Sequence, residues 1–442
     1  MSDDSFLRYR GFLVFASFLV IGSAAHAQTM TDPTLMVTTV VPSGAGLSQP
    51  TTMAFLALND FLVLEKATGR VRRVLNNVLQ PGFALDVNVN SSSERGMLGI
   101  AIQPGSPVRV FLYYTEAQGA DGGTPLGNRV YRYDWDPGTG TLINPLLVLN
   151  LPVLPGPNHD GGIVLLDDQG RLFTVIGDLN HSGQLQNQPA GSPPDDTGVI
   201  FRVNANDGTA AAGNPFTPYC SVTTTQTCTA TPDCPAGQTC VTQVARYYTY
   251  GVRNCFGMTL DPVTQALWMS ENGPGTMDEL NRFDPGVNSG WNQIMGPDAL
   301  DPQGVGDLWN MPGAGLTYSD PEFSWLDTVA VTGVVFPFAT TWGPSYNDKV
   351  LVADNNLGNI YSFPLNPARN GLDVSALPAA LQDLVAQNQT EANLVRIGQG
   401  FAAITDMKKG PDDHIYVVDI ALGRIFRIAG QFPVSLQDFK VE

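Results

Sequence analysis

The chain has 442 residues, 43% of them hydrophobic and only 14% charged, with 46 glycines, 33 prolines and a net charge of −18. That length can bury a large core, and the wealth of turn residues suits an all-β chain better than a helical one. The acidic balance excludes the basic surfaces that nucleic acid or an anionic membrane would need, and it suits hard cations such as Ca²⁺.

Residues 1–27 read as a signal peptide. Arg8 and Arg10 precede the apolar "GFLVFASFLVIGSAA", and "AHA" at 25–27 offers a small-x-small cleavage site before Gln28. No later stretch is long and apolar enough for a membrane-spanning helix, so the expected location is periplasmic or secreted, with no membrane span after cleavage. Residues 28–49 are read as an N-terminal extension, 50–430 as the folded body and 431–442 as a tail.

From residue 61 onward one unit recurs. It consists of an apolar strand, an acidic Gly/Pro turn, an aromatic-rich strand, a Gly-containing hairpin and a further strand. Copies begin at "FLVLEKATGRVRRVL", "GMLGIAIQPGSPVRVFLYYTE", "GGIVLLDDQGRLFTVIGD", "CFGMTLDPVTQALWMSENG", "GVVFPF" with "DKVLVADNNLGNIYSFPL", and "ITDMKKGPDDHIYVVDIALGRIFRIAG". Six four-stranded units predict an all-β, six-bladed β-propeller. Its ligands would be met where loops converge on the central channel. One helical period is found, over "ALPAALQDLVAQN" (376–388), which predicts a surface helix.

The third unit carries an insert over 216–243, "YCSVTTTQTCTATPDCPAGQTCV" at its centre. Cys220, Cys228, Cys234 and Cys240, so close together in an exported chain, suggest two disulfides, with three pairings open. A zinc knuckle is the rival reading. Cys255 is left over as a buried free thiol.

Four loops hold polar residues at candidate channel positions. These are Glu94 and Arg95 in "SSSERGMLGIA", His159 and Asp160 in "NHDGG", Arg253 and Asn254 in "YGVRNCFGM", and the Gly-Pro loop "SENGPGTMDELNRF". A neutral imidazole such as His159 can take a proton from a substrate hydroxyl. Asp160 could orient that ring, although neighbouring residues rarely bond side chain to side chain, and a more distant acid could serve instead. Arg253 would hold a carboxylate or a developing oxyanion. The carbonyls of Gly273 and Pro274 are oxygen ligands of the kind Ca²⁺ takes. Base, cation and metal together suit oxidation of an alcohol by an anionic redox cofactor, and the nicotinamide, P-loop and serine-hydrolase fingerprints are all missing. His181 and His414 read as loop and structural residues.

The segments "ERGMLGIAIQP", "NHDGGIVLLDDQGRLFTVIGD", "YGVRNCFGMTLDP", "MSENGPGTMDELN" with "PGVNSGWN", and "GPDDHIYVVD" with "GRIFRI" resemble the soluble quinoprotein glucose/sorbosone dehydrogenases, over about residues 50–429. The resemblance implies a six-bladed propeller, the cofactor pyrroloquinoline quinone (PQQ) with Ca²⁺, a sugar or other alcohol as substrate, and an unidentified electron acceptor. It implies His159 as general base, Arg253 beside the quinone oxygens and Asn254 on the cofactor. It puts Gly273 and Pro274 on Ca²⁺ and Glu94 near a substrate-contacting glutamine of the family, a partial match; from its place beside His159, Asp160 is read with Glu94 as substrate-binding. The family's cofactor lysine and arginine pair fall at Asn356 and at Ala403 and Thr405, so Asn356 and Thr405 stand at cofactor positions without a charge; Lys408 and Lys409 are read as solvated beyond them. A propeller of the same ancestry that has lost PQQ and acts as a binding or interaction module, and a Ca²⁺-dependent propeller lactonase or hydrolase, are the competing readings.

Overall fold

The structure is a computed structural model that describes residues 27–300, 304–315, 317–338 and 340–430. The predicted signal peptide up to residue 26 and the tail 431–442 lie outside the described residues. The chain forms a six-bladed β-propeller whose blades begin, innermost strand first, at Pro50–Ala57, Met97–Gln103, Val164–Leu166, Cys255–Leu260, Val331–Val335 and Ile404–Lys409.

Each blade is an antiparallel meander. In blade 3, Val164–Leu166 pairs with Arg171–Ile176, that strand with Val199–Asn204, and the last with Tyr247–Tyr250. The Gly-containing hairpin ending of the repeat has a physical role in blades 1 and 6. An acid closing the second strand binds an arginine on the third, Glu65 with Arg72 at 3.0 Å and Asp419 with Arg424.

Apolar residues of neighbouring blades interdigitate, as where Phe61, Val63 and Val74 of blade 1 meet Tyr416, Val418 and Ile425 of blade 6. Around the channel the inner strands touch backbone to backbone, which is why small residues recur there. A Cβ on Gly99 would sit 1.9 Å from the Gly162 carbonyl oxygen of the next blade.

Three expectations are corrected. The segment set apart as an N-terminal extension is built into the propeller. Leu35–Val41 pairs with Arg424–Gly430 as the outermost strand of blade 6, and Thr29–Met30 adds an edge to blade 5. The ring is thus closed by Leu35–Val41, from near the start of the described residues, against Arg424–Gly430, the last strand among them. The predicted helix over 376–388 is absent. Val374–Ala376 and Ala379–Leu381 are single 3₁₀ turns, and Val385–Ala386 is a strand parallel to Phe323–Trp325. Pro378 interrupts the helical ladder, and Leu377, Leu381, Val385 and Ala386 gain more by burial against blades 4 and 5 than a surface helix would give. Lys408 and Lys409 lie within the inner strand of blade 6 rather than beyond it, paired with Asp406 at 3.2 Å and Asp413 at 2.9 Å.

The insert is a small ribbon, Tyr219–Cys220 against Cys240–Val241, stapled by Cys220–Cys234 and Cys228–Cys240. These bonds consume all four thiols and displace the zinc reading, and Tyr219 and Val241 dock the ribbon on the core of blades 2 and 3. Cys255 is free and buried. No helix among the described residues is long and apolar enough to cross a membrane.

Candidate active site

Antiparallel meanders bring two kinds of loop to one face of a propeller: those entering each innermost strand, and those joining second to third strands. Glu94, His159, Arg253 and Asn254 are of the first kind. Asp178, which follows Arg171–Ile176, and Gly273–Pro274, which follow Leu267–Glu271, are of the second.

The loops are knitted together by polar contacts. The Glu94 carboxylate accepts from the His159 backbone N–H at 2.6 Å and from Asn254 Nδ2 at 3.0 Å, so one side chain ties blades 2, 3 and 4. Ser93 Oγ donates to Asn158 Oδ1 beside it. His159 holds a left-handed backbone, φ 62°, a conformation costing of order 1–3 kcal/mol in a non-glycine residue and kept here by such surrounding contacts. Gly177 is what lets the strands converge, because a Cβ there would lie 2.4 Å from the His159 carbonyl oxygen and 2.3 Å from that of Arg253.

His159 Nδ1 lies 2.5 Å from Asp178 Oδ1. An ionised carboxylate only accepts, so Nδ1 carries the hydrogen and the Nε2 lone pair is left for a substrate proton. Asp178 is itself fixed, by the Trp291 indole N–H at 2.6 Å and the Asn180 N–H at 2.7 Å. The Arg253 guanidinium sits over the Trp291 ring at 5.2 Å and donates to the Asn272 carbonyl at 2.6 Å.

Asp178 and Trp291 were not singled out from the sequence, although both lie inside the quoted motifs. Position could have found Asp178, since it ends a second strand on the channel face.

Asp160 is placed differently from the expectation. It is fully buried, accepting from Asn128 Nδ2 at 2.9 Å with Arg95 Nε 3.8 Å distant, while the His159 ring nitrogen bonds Asp178 instead. Burial raises its pKa to about 7, against the opposing pull of Asn128 and Arg95. It therefore braces the loop and has no surface to offer a substrate.

A cavity of about 210 Å³ occupies the channel, with Thr51, Leu98, Ile163, Phe256, Thr332 and Thr405 contributed by or next to the six innermost strands. Glu94 joins it to the His159 cluster. Thr405 lines it as expected for its position. Asn356 does not: its side chain belongs to an exposed residue, and Asn355 faces the cavity one register position earlier, donating to the Ile404 carbonyl at 3.2 Å. Lys66, which the sequence reading passed over, also lines this space.

Backbone carbonyl oxygens that could hold a cation lie on the blade 4 side. The Gly273 and Pro274 carbonyls accept no hydrogen bond from the described residues, while the Gly273 N–H is held by Asp278 at 3.0 Å. Next to this loop Glu271 and Glu279 are buried and bridged by Asn281 Nδ2 at 3.1 and 2.8 Å. Burial raises the pKa of both, and for Glu279 the neighbouring charge of Glu271 adds to it. His181 stands 3.0 Å from Asp195 in the loop that joins Arg171–Ile176 to Val199–Asn204, and His414 is mostly buried in blade 6.

The profile of the family described as Glucose / Sorbosone dehydrogenase matches residues 47–427. The chain belongs to that family. Among relatives of this glucose/sorbosone dehydrogenase family member, the aldose sugar dehydrogenase YliI of Escherichia coli strain K12 is 24% identical over 87% of this chain and 90% of its own. Quinoprotein glucose dehydrogenase B of Acinetobacter calcoaceticus is 24% identical over 57% of this chain and 52% of its own. Of solved structures, the apo form of the E. coli aldose sugar dehydrogenase superposes with a TM-score of 0.64 at 21% identity, covering 90% of this chain and 99% of that one. The PQQ-bound aldose sugar dehydrogenase of Streptomyces coelicolor gives 0.60 at 23%, covering 89% and 98%. These likenesses establish the propeller.

Proposed function

We propose that the protein is an exported, PQQ-dependent dehydrogenase that oxidises a sugar or another alcohol with His159 as general base and Ca²⁺ at the Gly273–Pro274 loop. The observation that carries this reading is the His159–Asp178–Trp291 chain, set among Glu94, Arg253 and Asn254 in a family whose described members are sugar dehydrogenases.

The polar atoms fit a ligand rich in acceptor oxygens. Arg253 Nε and Asn254 Oδ1 are buried without a hydrogen-bond partner among the described residues, so both still have hydrogen-bonding capacity to spend. When bound, PQQ supplies the two-electron acceptor for a hydride. Arg253 and Asn254 would hold it, with neutral Asn355 and Thr405 on the far wall. His159 Nε2 takes the proton from the substrate hydroxyl, and Asp178 keeps the ring in the productive tautomer while the positive charge develops. Arg253, fixed against Trp291, supplies a permanent positive charge where negative charge accumulates on oxygen. Leu98, Ile163, Phe256 and Ile420 give the neighbouring cavity a largely apolar wall. Export is supported by the signal-like N-terminus and the two disulfides.

The test is a titration of the mature protein with PQQ in the presence of Ca²⁺, followed by a dye-linked assay against aldoses and simple alcohols. Saturable binding and turnover are expected, with His159→Ala lowering kcat by at least about 10²-fold. No binding at tens of micromolar PQQ sinks the dehydrogenase reading. A quinone-free propeller is the second reading. As a binding or interaction module it is favoured by the cavity's shortage of positive charge, and absence of PQQ binding would decide for it; Ca²⁺-dependent lactone hydrolysis without quinone would instead point to a propeller lactonase.

A further inference from the structure

PQQ carries three carboxylates, yet the wall of the channel cavity is mostly apolar or neutral. Of the residues lining it, only Glu94 and Lys66 are charged. Lys66 follows the second strand of blade 1, Asp60–Glu65, in the same class of loop as Asp178 and Gly273. Its backbone carbonyl accepts from the Met97 N–H at 3.0 Å, and Gly96 is required beside it, since a Cβ there would meet the Lys66 oxygen at 2.4 Å. Lys66 Nζ donates to the Ser93 carbonyl at 2.8 Å and the Ser91 carbonyl at 3.2 Å. An ammonium has three hydrogens, so one remains unassigned.

No carboxylate lies within ion-pairing distance of this ammonium among the described residues, whereas Lys408 and Lys409 are both paired. Burial lowers the Lys66 pKa, and Asp160 and Glu94 oppose that only from a distance. A cation held in a half-enclosed apolar space with neutral acceptors and a spare donor is arranged to receive an anion.

We propose that Lys66 is the cationic anchor for a carboxylate of the cofactor, entering the channel from blade 1 and standing in for the positive charge that Asn355 and Thr405 do not bring from blades 5 and 6. This rests on the dehydrogenase reading, and the experiment separates the two.

Apoprotein is titrated with PQQ and with its trimethyl ester by calorimetry at several salt concentrations, for wild type, Lys66→Gln and Lys66→Arg. One charge-assisted hydrogen bond corresponds to roughly a 10- to 150-fold loss of PQQ affinity in Lys66→Gln, with a flatter salt dependence. Lys66→Arg should stay within about threefold of wild type, and the ester should bind wild type and Lys66→Gln alike. A role confined to tethering Ser91 and Ser93 would weaken both ligands equally. In wild type, PQQ should also protect Lys66 from reductive methylation, read by mass spectrometry; this holds even if Lys66→Gln does not fold. Equal PQQ affinity in Lys66→Gln, equal loss for PQQ and ester, or no protection overturns the assignment while leaving the dehydrogenase reading intact. Failure of wild type to bind PQQ overturns both.

Discussion

Replacing Asp178 by Asn tests the heart of the site with one atom. The carboxylate now accepts from His159 Nδ1 at 2.5 Å, Trp291 Nε1 at 2.6 Å and the Asn180 N–H at 2.7 Å. All three partners are donors. An amide offers one acceptor oxygen and one donor nitrogen, so at least one donor loses its partner or the imidazole turns to the other tautomer. The lost charge-assisted bond to His159 is worth about 1.5–3 kcal/mol. At roughly 1.4 kcal/mol per decade this is a fall of about 10- to 150-fold. Because Asp178 reaches the substrate only through His159, the loss should fall on kcat, with KM changed by less than about threefold. Steady-state kinetics on the PQQ- and Ca²⁺-loaded protein measure it, and thermal melting checks that the fold persists. A variant that melts like wild type and turns over within a factor of about two would refute the claim that Asp178 holds the base.

Asp160 yields a stability prediction of definite sign. Its folded pKa, raised by burial to about 7, lies above the unfolded value, so the native state binds the extra proton between about pH 4 and 7 and loses stability as pH rises through that window. Asp160→Asn should remove a pH dependence on the order of 4 kcal/mol across that range; urea denaturation of both proteins at several pH values measures it, and parallel curves would show the reasoning wrong. Cys255 is fully buried and its thiol pKa is pushed up by desolvation. It should therefore be silent to thiol reagents in the native protein and count as a single thiol after denaturation without reductant. More than one would break the two disulfides.

The sequence by itself determined the blades, because alternation of apolar strands with Asp/Gly/Pro turns is a local property with a fixed period. It also placed His159, Arg253, Asn254 and Glu94, since each precedes an innermost strand and is read from order along the chain. Three things were decided only by tertiary structure. Leu35–Val41 looked like part of an unattached N-terminal extension because its partner, Arg424–Gly430, lies almost 390 residues away, and ring closure is a long-range pairing with no local signal. The helical period over 376–388 lost to burial against two blades, since propensity is weak beside packing. The ring-orienting role considered for Asp160 falls to Asp178, which the sequence did not single out: chain adjacency favoured the first for His159, but its carboxylate is buried beside Asn128 and Arg95. A second strand ending at the channel brings the other's carboxylate to Nδ1. Lys66 was hidden for the same reason. In sequence it is one lysine in a turn, and only the closing of six blades around one axis makes it the positive charge that lines the channel.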